Sequence, residues 1–355
     1  MIKKIFMVAA LGLSMLATGC STATEEADDA EEVVYVYNWG DYLDPATLEM
    51  FEEETGIRVI YDEFDTNESM YPRVSAGAVH YDVICPSDYM IHKMIENNLL
   101  QPLDFGKLPN ARRYIGQKFF EQARAFDPEN KYAVPYCWGT VGIMYDTTRV
   151  EEPIDSWSVL WDERYRNEIL MQDSPRDALM VPLKLRGHSM NSTDPAELNE
   201  ARDLLIEQKP LVQAYVVDEV KDKMIGGEAI LAVVFSGEAL MISMENEDME
   251  FAVPKEGTNF WIDGWVLTHD AEHVDNAHRF IDFMCRPDIA VINFDYLGYS
   301  TPNTAVRELE EDEDIKNSPV AFPDPEVYED QETYKYPGEQ MDRIYNDLWI
   351  QVKVN

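Results

Sequence analysis

Apolar positions along this chain follow two periods, and segments of each kind alternate. Val33-Val-Tyr-Val-Tyr37 is a continuous apolar run of strand length, followed by the aromatic and polar stretch Asn38-Trp-Gly-Asp-Tyr42. Asp44 then offers a helix cap, Pro45 suits a first turn, Leu48 and Phe51 share one helical face, and Gly56 supplies a stop. With a second strand at residues 57–64 (IRVIYDEF), this is a strand–helix–strand unit with short connections, the signature of a parallel sheet. Residues 81–87 (YDVICPS) predict another strand. Tyr89 to Leu99 predict a helix with Met90, Ile91, Met94 and Ile95 toward the core.

The alternation continues downstream. Residues 131–146 (KYAVPYCWGTVGIMYD) alternate and contain glycines, as expected of a crossover between two lobes. Trp157 to Tyr165 predict a helix and residues 168–173 a strand. Residues 228–240 predict a strand, a glycine turn and a helix start, and residues 275–290 one amphipathic helix. Strands and helices alternating throughout predict an α/β fold.

Aromatic and acidic residues gather where these strands end. The first strand runs into Trp39-Gly-Asp-Tyr42 and the third into Ser87-Asp-Tyr89. The strand at 168–173 runs into Ser174-Pro-Arg-Asp177, and that at 228–235 into Ser236-Gly-Glu238. In open α/β sheets ligands bind outside the carboxyl ends of strands, so four such ends point to one site. Asn259-Phe-Trp-Ile-Asp-Gly-Trp265 adds an acid, Asp263, between two indoles. On the residues alone Asp263 is equally a turn aspartate before Gly264, Glu238 a first-turn acid, and Asp177 a partner for Arg176. Trp265 is expected to pack in the core.

Composition narrows the chemistry. The 355 residues, 45% hydrophobic, are enough for two domains. A formal charge of -39 argues against nucleic acid and anionic lipid surfaces as partners, and it attracts cations. Lys3 and Lys4 precede a short apolar run, Ile5 to Leu16, which ends in Leu16-Ala-Thr-Gly-Cys20 before an acidic stretch. This resembles a bacterial lipoprotein signal: residues 1–19 removed, Cys20 lipidated, residues 20–32 a disordered acidic tether. Ala17 stands where leucine is usual, with Leu16 one place further back. Cys85, Cys137 and Cys285 show no metal-ligand spacing, and the six histidines form no HExxH pair, so no metal or other cofactor is expected. The run Glu308 to Glu313 reads as solvated surface.

The stretches VYVYNWGDYLDPATLEMFEEETGIRVIYDEF, NESMYPRVSAGAVHYDVICPSDYMIHKMIENNLLQPLD, YAVPYCWGTVGIMYD, FWIDGWVL and LGYSTPNTAV together resemble the polyamine (spermidine/putrescine) substrate-binding proteins of ABC importers. The resemblance covers nearly the whole mature chain and is weakest from about 305 to 340. It implies a type II periplasmic-binding-protein-like fold of two lobes, residues 33–137 plus 262–306 and residues 141–257 plus 311–355. A ligand would lie between them, and hinge crossovers would fall at 137–141, 257–262 and 306–311. It implies an extracytoplasmic, lipid-anchored, monomeric binding protein without catalysis, partnered by a membrane permease. By motif, its ligand residues fall on Trp39, Asp41, Tyr42, Ser87, Tyr89, Asp177, Phe235, Glu238, Trp261, Asp263 and Tyr299. Three positions depart from the pattern. Gly40 replaces a small hydroxyl, Ser174 an aspartate usual in spermidine binders, and Phe235 a tryptophan.

A polyamine is a methylene chain carrying amines that stay protonated at neutral pH. Its site needs carboxylates at the nitrogens and aromatic faces along the hydrocarbon, because a buried cation without a counter-charge is costly. Acids in an aromatic groove also describe glycosidases. The chain holds no GxSxG, no catalytic Cys/His arrangement and no dinucleotide glycine fingerprint. A same-fold protein for sugar, amino acid or ferric iron is the other alternative; an amino-acid carboxylate calls for a cleft arginine, and only Arg176 stands near a strand end.

Overall fold

The computed structural model describes residues 32–355 except Ala78, Asp218 and 325–330. The signal, Cys20 and all of the tether but Glu32 therefore lie outside the described residues. Ten strands form one sheet: β1 (Val33–Trp39), β2 (Arg58–Phe64), β3 (Val83–Ile84), β4 (Leu100–Gln101), β5 (Ala133–Asp146), β6 (Ile169–Gln172), β7 (Val212–Val216), β8 (Leu231–Phe235), β9 (Met249–Ala252) and β10 (Phe260–Thr268). Their order is β2-β1-β3-β10-β5-β8-β6-β7, with β4 beside β10 and β9 beside β5. β1 pairs in parallel with β2 and β3, β6 in parallel with β7 and β8, and the long β5 and β10 run antiparallel to their neighbours.

β5 joins the two sides of this sheet. Its first half, through Thr140, pairs with β10, and its second half, from Val141, pairs with β8 and β9. All fourteen residues are buried, so the alternation expected of a half-exposed strand gives way to packing on both faces. On one side, Val34, Val36, Phe51, Trp265 and Phe280 pack together on one face, and Ile84, Met90, Trp138 and Ile262 on the other. On the other side, Trp157, Leu179, Leu205, Val233 and Trp349 form one layer, and Met144, Leu170, Val234 and Ile242 the opposite one.

The first strand–helix–strand unit follows its sequence signals. Asp44 Oδ1 accepts from the Ala46 amide at 2.9 Å, and Gly56 closes the helix Pro45–Thr55 in the left-handed region at φ 72°. Elsewhere local chemistry overrides the apolar period. Residues 275–290 split into helices Val274–Met284 and Pro287–Leu297, because Pro287 has no amide hydrogen and holds Arg286 extended at ψ 138°. Trp157 to Tyr165 form two short 3₁₀ turns, capped by Ser156 and Asp162, in place of the expected helix. The helix after β8 starts directly at Ser236, with Gly237 inside it rather than in a turn. In the acidic run 308–313, Glu310 is buried, its carboxylate accepting from the Asp312 amide at 2.7 Å; the other acids there are exposed as expected.

Candidate functional site

The ends of β1 and β3, the middle of β10, the start of helix Ser236–Glu245 and the turn after helix Pro287–Leu297 meet around Asp263. Asp263 is 6% exposed. The Tyr42 hydroxyl donates to its Oδ2 at 2.8 Å, the Ser87 hydroxyl also donates to the carboxylate, and Oδ1 has no partner among the described residues. Burial pushes the carboxyl up to about 6, against the pull of these two hydroxyls.

A wall of rings runs beside this acid. Centroids lie 6.3 Å apart for Trp39 and Tyr42, 5.8 Å for Tyr42 and Tyr299, 5.3 Å for Tyr299 and Trp261, and 6.0 Å for Trp261 and Phe235. Backbone contacts fix its members: Trp39 Nε1 donates to the Cys85 carbonyl at 2.8 Å, and the Tyr136 hydroxyl donates to the Tyr42 carbonyl at 3.0 Å. Gly237 leaves room for the Tyr299 ring, since a Cβ there would sit 2.1 Å from Tyr299 Cδ1. Glu238 is buried and accepts from the Phe235 amide at 2.9 Å, holding the end of the wall.

A second group involves Tyr89 and Asp177. The Tyr89 hydroxyl donates to Glu68 Oε1 at 2.8 Å and accepts from Asn67 Nδ2 at 3.0 Å. Its ring meets Tyr334 edge-on at 6.5 Å, and the Tyr334 hydroxyl donates to Asp177 Oδ1 at 3.1 Å. Asp177 is buried, and burial raises its carboxyl. Arg176 bonds to Asn191 Oδ1 and the Lys335 carbonyl and covers the Tyr334 and Tyr345 rings, so its hydrogen bonds do not go to Asp177. Ser174 caps helix Pro175–Leu185, its hydroxyl facing the Asp177 amide at 3.5 Å.

Thus Trp39, Tyr42, Ser87, Trp261, Asp263, Phe235 and Tyr299 come together, Glu238 braces them, and Tyr89 with Asp177 forms a neighbouring pair. Asp41 stands apart: it is exposed in the left-handed region at φ 50°, and its charge acts on Tyr296. Trp265 lies in the core, fully buried against Tyr136 and Phe280.

Sequence reasoning missed Asp88, Glu68 and Tyr334. Asp88 is 1% exposed; its Oδ1 accepts from the Tyr89 amide at 2.6 Å, and its Oδ2 has no partner among the described residues. Burial raises its carboxyl, and the charge of Asp263 adds to that effect. Its place inside Ser87-Asp-Tyr89 was the available signal. Tyr334 lies where no periodic pattern marks the chain.

The arrangement suits a ligand with a positive end and an apolar body: a buried carboxylate oxygen without a partner, beside aromatic faces. Among the described residues no three His, Cys, Asp or Glu side chains are placed to hold a metal ion, and no helix is long and apolar enough to cross a membrane. A raised carboxyl is also what a general acid needs, so the acid alone does not separate binding from catalysis. Comparison with known proteins gives the family. The profile of the bacterial extracellular solute-binding protein family matches residues 46–323.

The chain belongs to that family.

Among relatives of this solute-binding protein, the spermidine/putrescine-binding periplasmic protein of Salmonella typhimurium is 33% identical over 97% of each chain. The putrescine/agmatine-binding protein of Pseudomonas aeruginosa is 31% identical over 98% of each. The crystal structure of a spermidine/putrescine ABC transporter substrate-binding protein from Streptococcus pneumoniae is 41% identical. It covers 91% of this chain and 99% of its own, with a TM-score of 0.81. This solute-binding protein therefore has an α/β fold of the type II periplasmic-binding class, and its relatives serve transport.

Proposed function

We propose that this solute-binding protein captures a polyamine outside the cytoplasm and delivers it to an ABC permease. The observation that carries the reading is the buried, unpartnered Oδ1 of Asp263 beside the wall formed by Trp39, Tyr42, Tyr299, Trp261 and Phe235. An ammonium there pairs with Asp263, and the methylenes lie along the rings. Each aromatic contact with the cation adds roughly 0.5–2 kcal/mol, and the charge-assisted hydrogen bond about 1.5–3 kcal/mol. The names of the relatives support the same class of ligand.

In this reading Tyr89, Asp177 and Glu238 serve the rest of the ligand, and Asp41 lies at the rim. The lobes are residues 33–137 plus 262–306 and residues 141–257 plus 311–355, closing about the crossovers at 137–141, 257–262 and 306–311. Cys20 carries the lipid anchor, the protein works as a monomer, and it performs no catalysis. Ser174 in place of an acid, together with Glu238, favours putrescine or a broad site over spermidine alone.

Calorimetry with putrescine, spermidine, spermine, glutamate and maltose tests the proposal. Saturable heat from at least one polyamine, and none from glutamate or maltose, is expected. Heat from maltose or glutamate with none from any polyamine would sink it.

A further inference from the structure

Helix Asp88–Glu96 presents Tyr89 and Lys93, one turn apart, to the C-terminal part of the chain. Tyr89 meets Tyr334, as described above. One turn on, Lys93 Nζ lies 4.5 Å from the ring centroid of Tyr71, 5.1 Å from that of Tyr336, and 3.5 Å from Asp342 Oδ2. Tyr71 belongs to helix Asn67–Ser75, Tyr336 precedes helix Glu339–Val354, and Asp342 is on its first turn. The Lys93 side chain is 15% exposed and that of Asp342 28%, so this ammonium is more sheltered than one in an ordinary surface ion pair. Glu339 and Glu96 also act on the Tyr336 ring, and Glu339 acts on Tyr71. One ammonium thus sits among two tyrosine faces and an excess of carboxylates.

These groups come from both sides of the proposed cleft. Residues 67–96 lie in the first lobe, and Tyr334 to Asp342 in the second. Lys93 belongs to neither group of candidate ligand residues. We propose that Lys93 is a positioning residue for closure. Its ammonium, held by Tyr71 on one side and by Tyr336 and Asp342 on the other, latches the closed state and slows ligand release without touching the ligand. The inference rests on the two-lobed, polyamine-capturing reading above.

A contact present only in the closed state stabilises that state by the same amount whatever ligand is inside. Its loss therefore weakens all ligands by a common factor. Residues that touch the ligand act differently, because they change the ranking of ligands. The latch also biases the ligand-free protein toward closure.

The test uses the mature protein with Lys93→Met, which keeps the apolar stem and removes the charge, and Asp342→Asn as an independent break of the same contact. Stopped-flow release of putrescine and of spermidine should quicken by about three- to tenfold for both ligands, with association changed less than twofold. Lys93→Arg should restore slow release. Energy transfer between dyes at Glu53→Cys and Glu207→Cys, both exposed and in opposite lobes, should show a smaller ligand-free closed population in Lys93→Met. Release rates and a closed population equal to the parent's in both variants would overturn the latch and leave polyamine capture standing. If the parent bound no polyamine, the functional reading would fall, and the ligand-free energy-transfer comparison would still decide the latch.

Discussion

The Tyr42 hydroxyl and Asp263 Oδ2, 221 residues apart in sequence, share a 2.8 Å hydrogen bond in the interior. The bond turns one carboxylate oxygen toward the protein and leaves the other as a buried acceptor. A buried acceptor without a donor is costly, and in the proposed function a ligand ammonium removes that cost. On that proposal the site is electrostatically incomplete until a cation arrives.

Replacing Asp263 with asparagine keeps the shape and removes the charge. Polyamine affinity should fall by about 10- to 150-fold, corresponding to roughly 1.5–3 kcal/mol for a charge-assisted hydrogen bond. Isothermal calorimetry on Asp263→Asn measures this directly; an affinity within threefold of the parent's would remove Asp263 as the ammonium partner.

The pH dependence follows from the same residue. Burial raises its carboxyl from 3.8 to about 6 in the free protein. The folded state therefore holds the proton more tightly than the unfolded chain does. The stability this confers is fully present below pH 3.8 and is lost as pH rises through 6, an effect of about 3 kcal/mol. A bound cation favours the ionised carboxylate, so binding expels the proton. Polyamine affinity should be flat above about pH 7 and weaken by roughly tenfold between pH 7.5 and pH 5. Calorimetry in two buffers of different ionisation heat should detect proton release near pH 6 and none at pH 8.

Tyr42→Phe tests the hydrogen bond itself. The bond lowers the Asp263 carboxyl against the effect of burial, so its loss should move the midpoint of the affinity–pH curve upward. Affinity at pH 7 should fall by about three- to tenfold, with a smaller loss at pH 8.5. An unmoved midpoint would show that the hydroxyl leaves the acid's titration unchanged.

Gly237→Ala should displace the Tyr299 ring, because the new Cβ would meet Tyr299 Cδ1 at 2.1 Å. Tyr299 packs on both Tyr42 and Trp261, so the middle of the ring wall shifts with it. Polyamine binding should weaken by at least tenfold, accompanied by a stability loss of about 1–3 kcal/mol from overpacking. Ligand titration combined with urea unfolding separates the two effects.

Cys85, Cys137 and Cys285 are free and buried, and burial pushes each thiol upward. All three should resist alkylation in the native protein and react together only on unfolding, with no change in melting temperature on adding a reductant. Mass spectrometry after iodoacetamide treatment at increasing urea reads this.

Much of the site could be read from residue types alone. Aromatic and acidic residues at the ends of β1 and β3 mark it because a strand end is where the sheet stops covering its own side chains. Asp263 could not be read in this way. Before Gly264 it had an equally good local explanation, and its burial depends on Tyr42 and Ser87 arriving from distant segments. Asp88 was hidden for a related reason: an acid at a helix start is ordinary, and only its packing against β10 makes it 1% exposed. The helix expected over residues 275–290 shows the opposite limit. Its apolar period was real, and a single proline divided it.

The sequence by itself determined the α/β class, the positions of most strands and the family resemblance, because these rest on local periodicity, caps and motif order. The tertiary structure alone decided which acids lose their water, which rings touch, and that Lys93 reaches Tyr336 and Asp342 near the chain's end. Desolvation and ring packing are properties of segments brought together from far apart in the chain. No local pattern encodes them, and the charge state of Asp263, on which ligand capture is proposed to turn, depends on both.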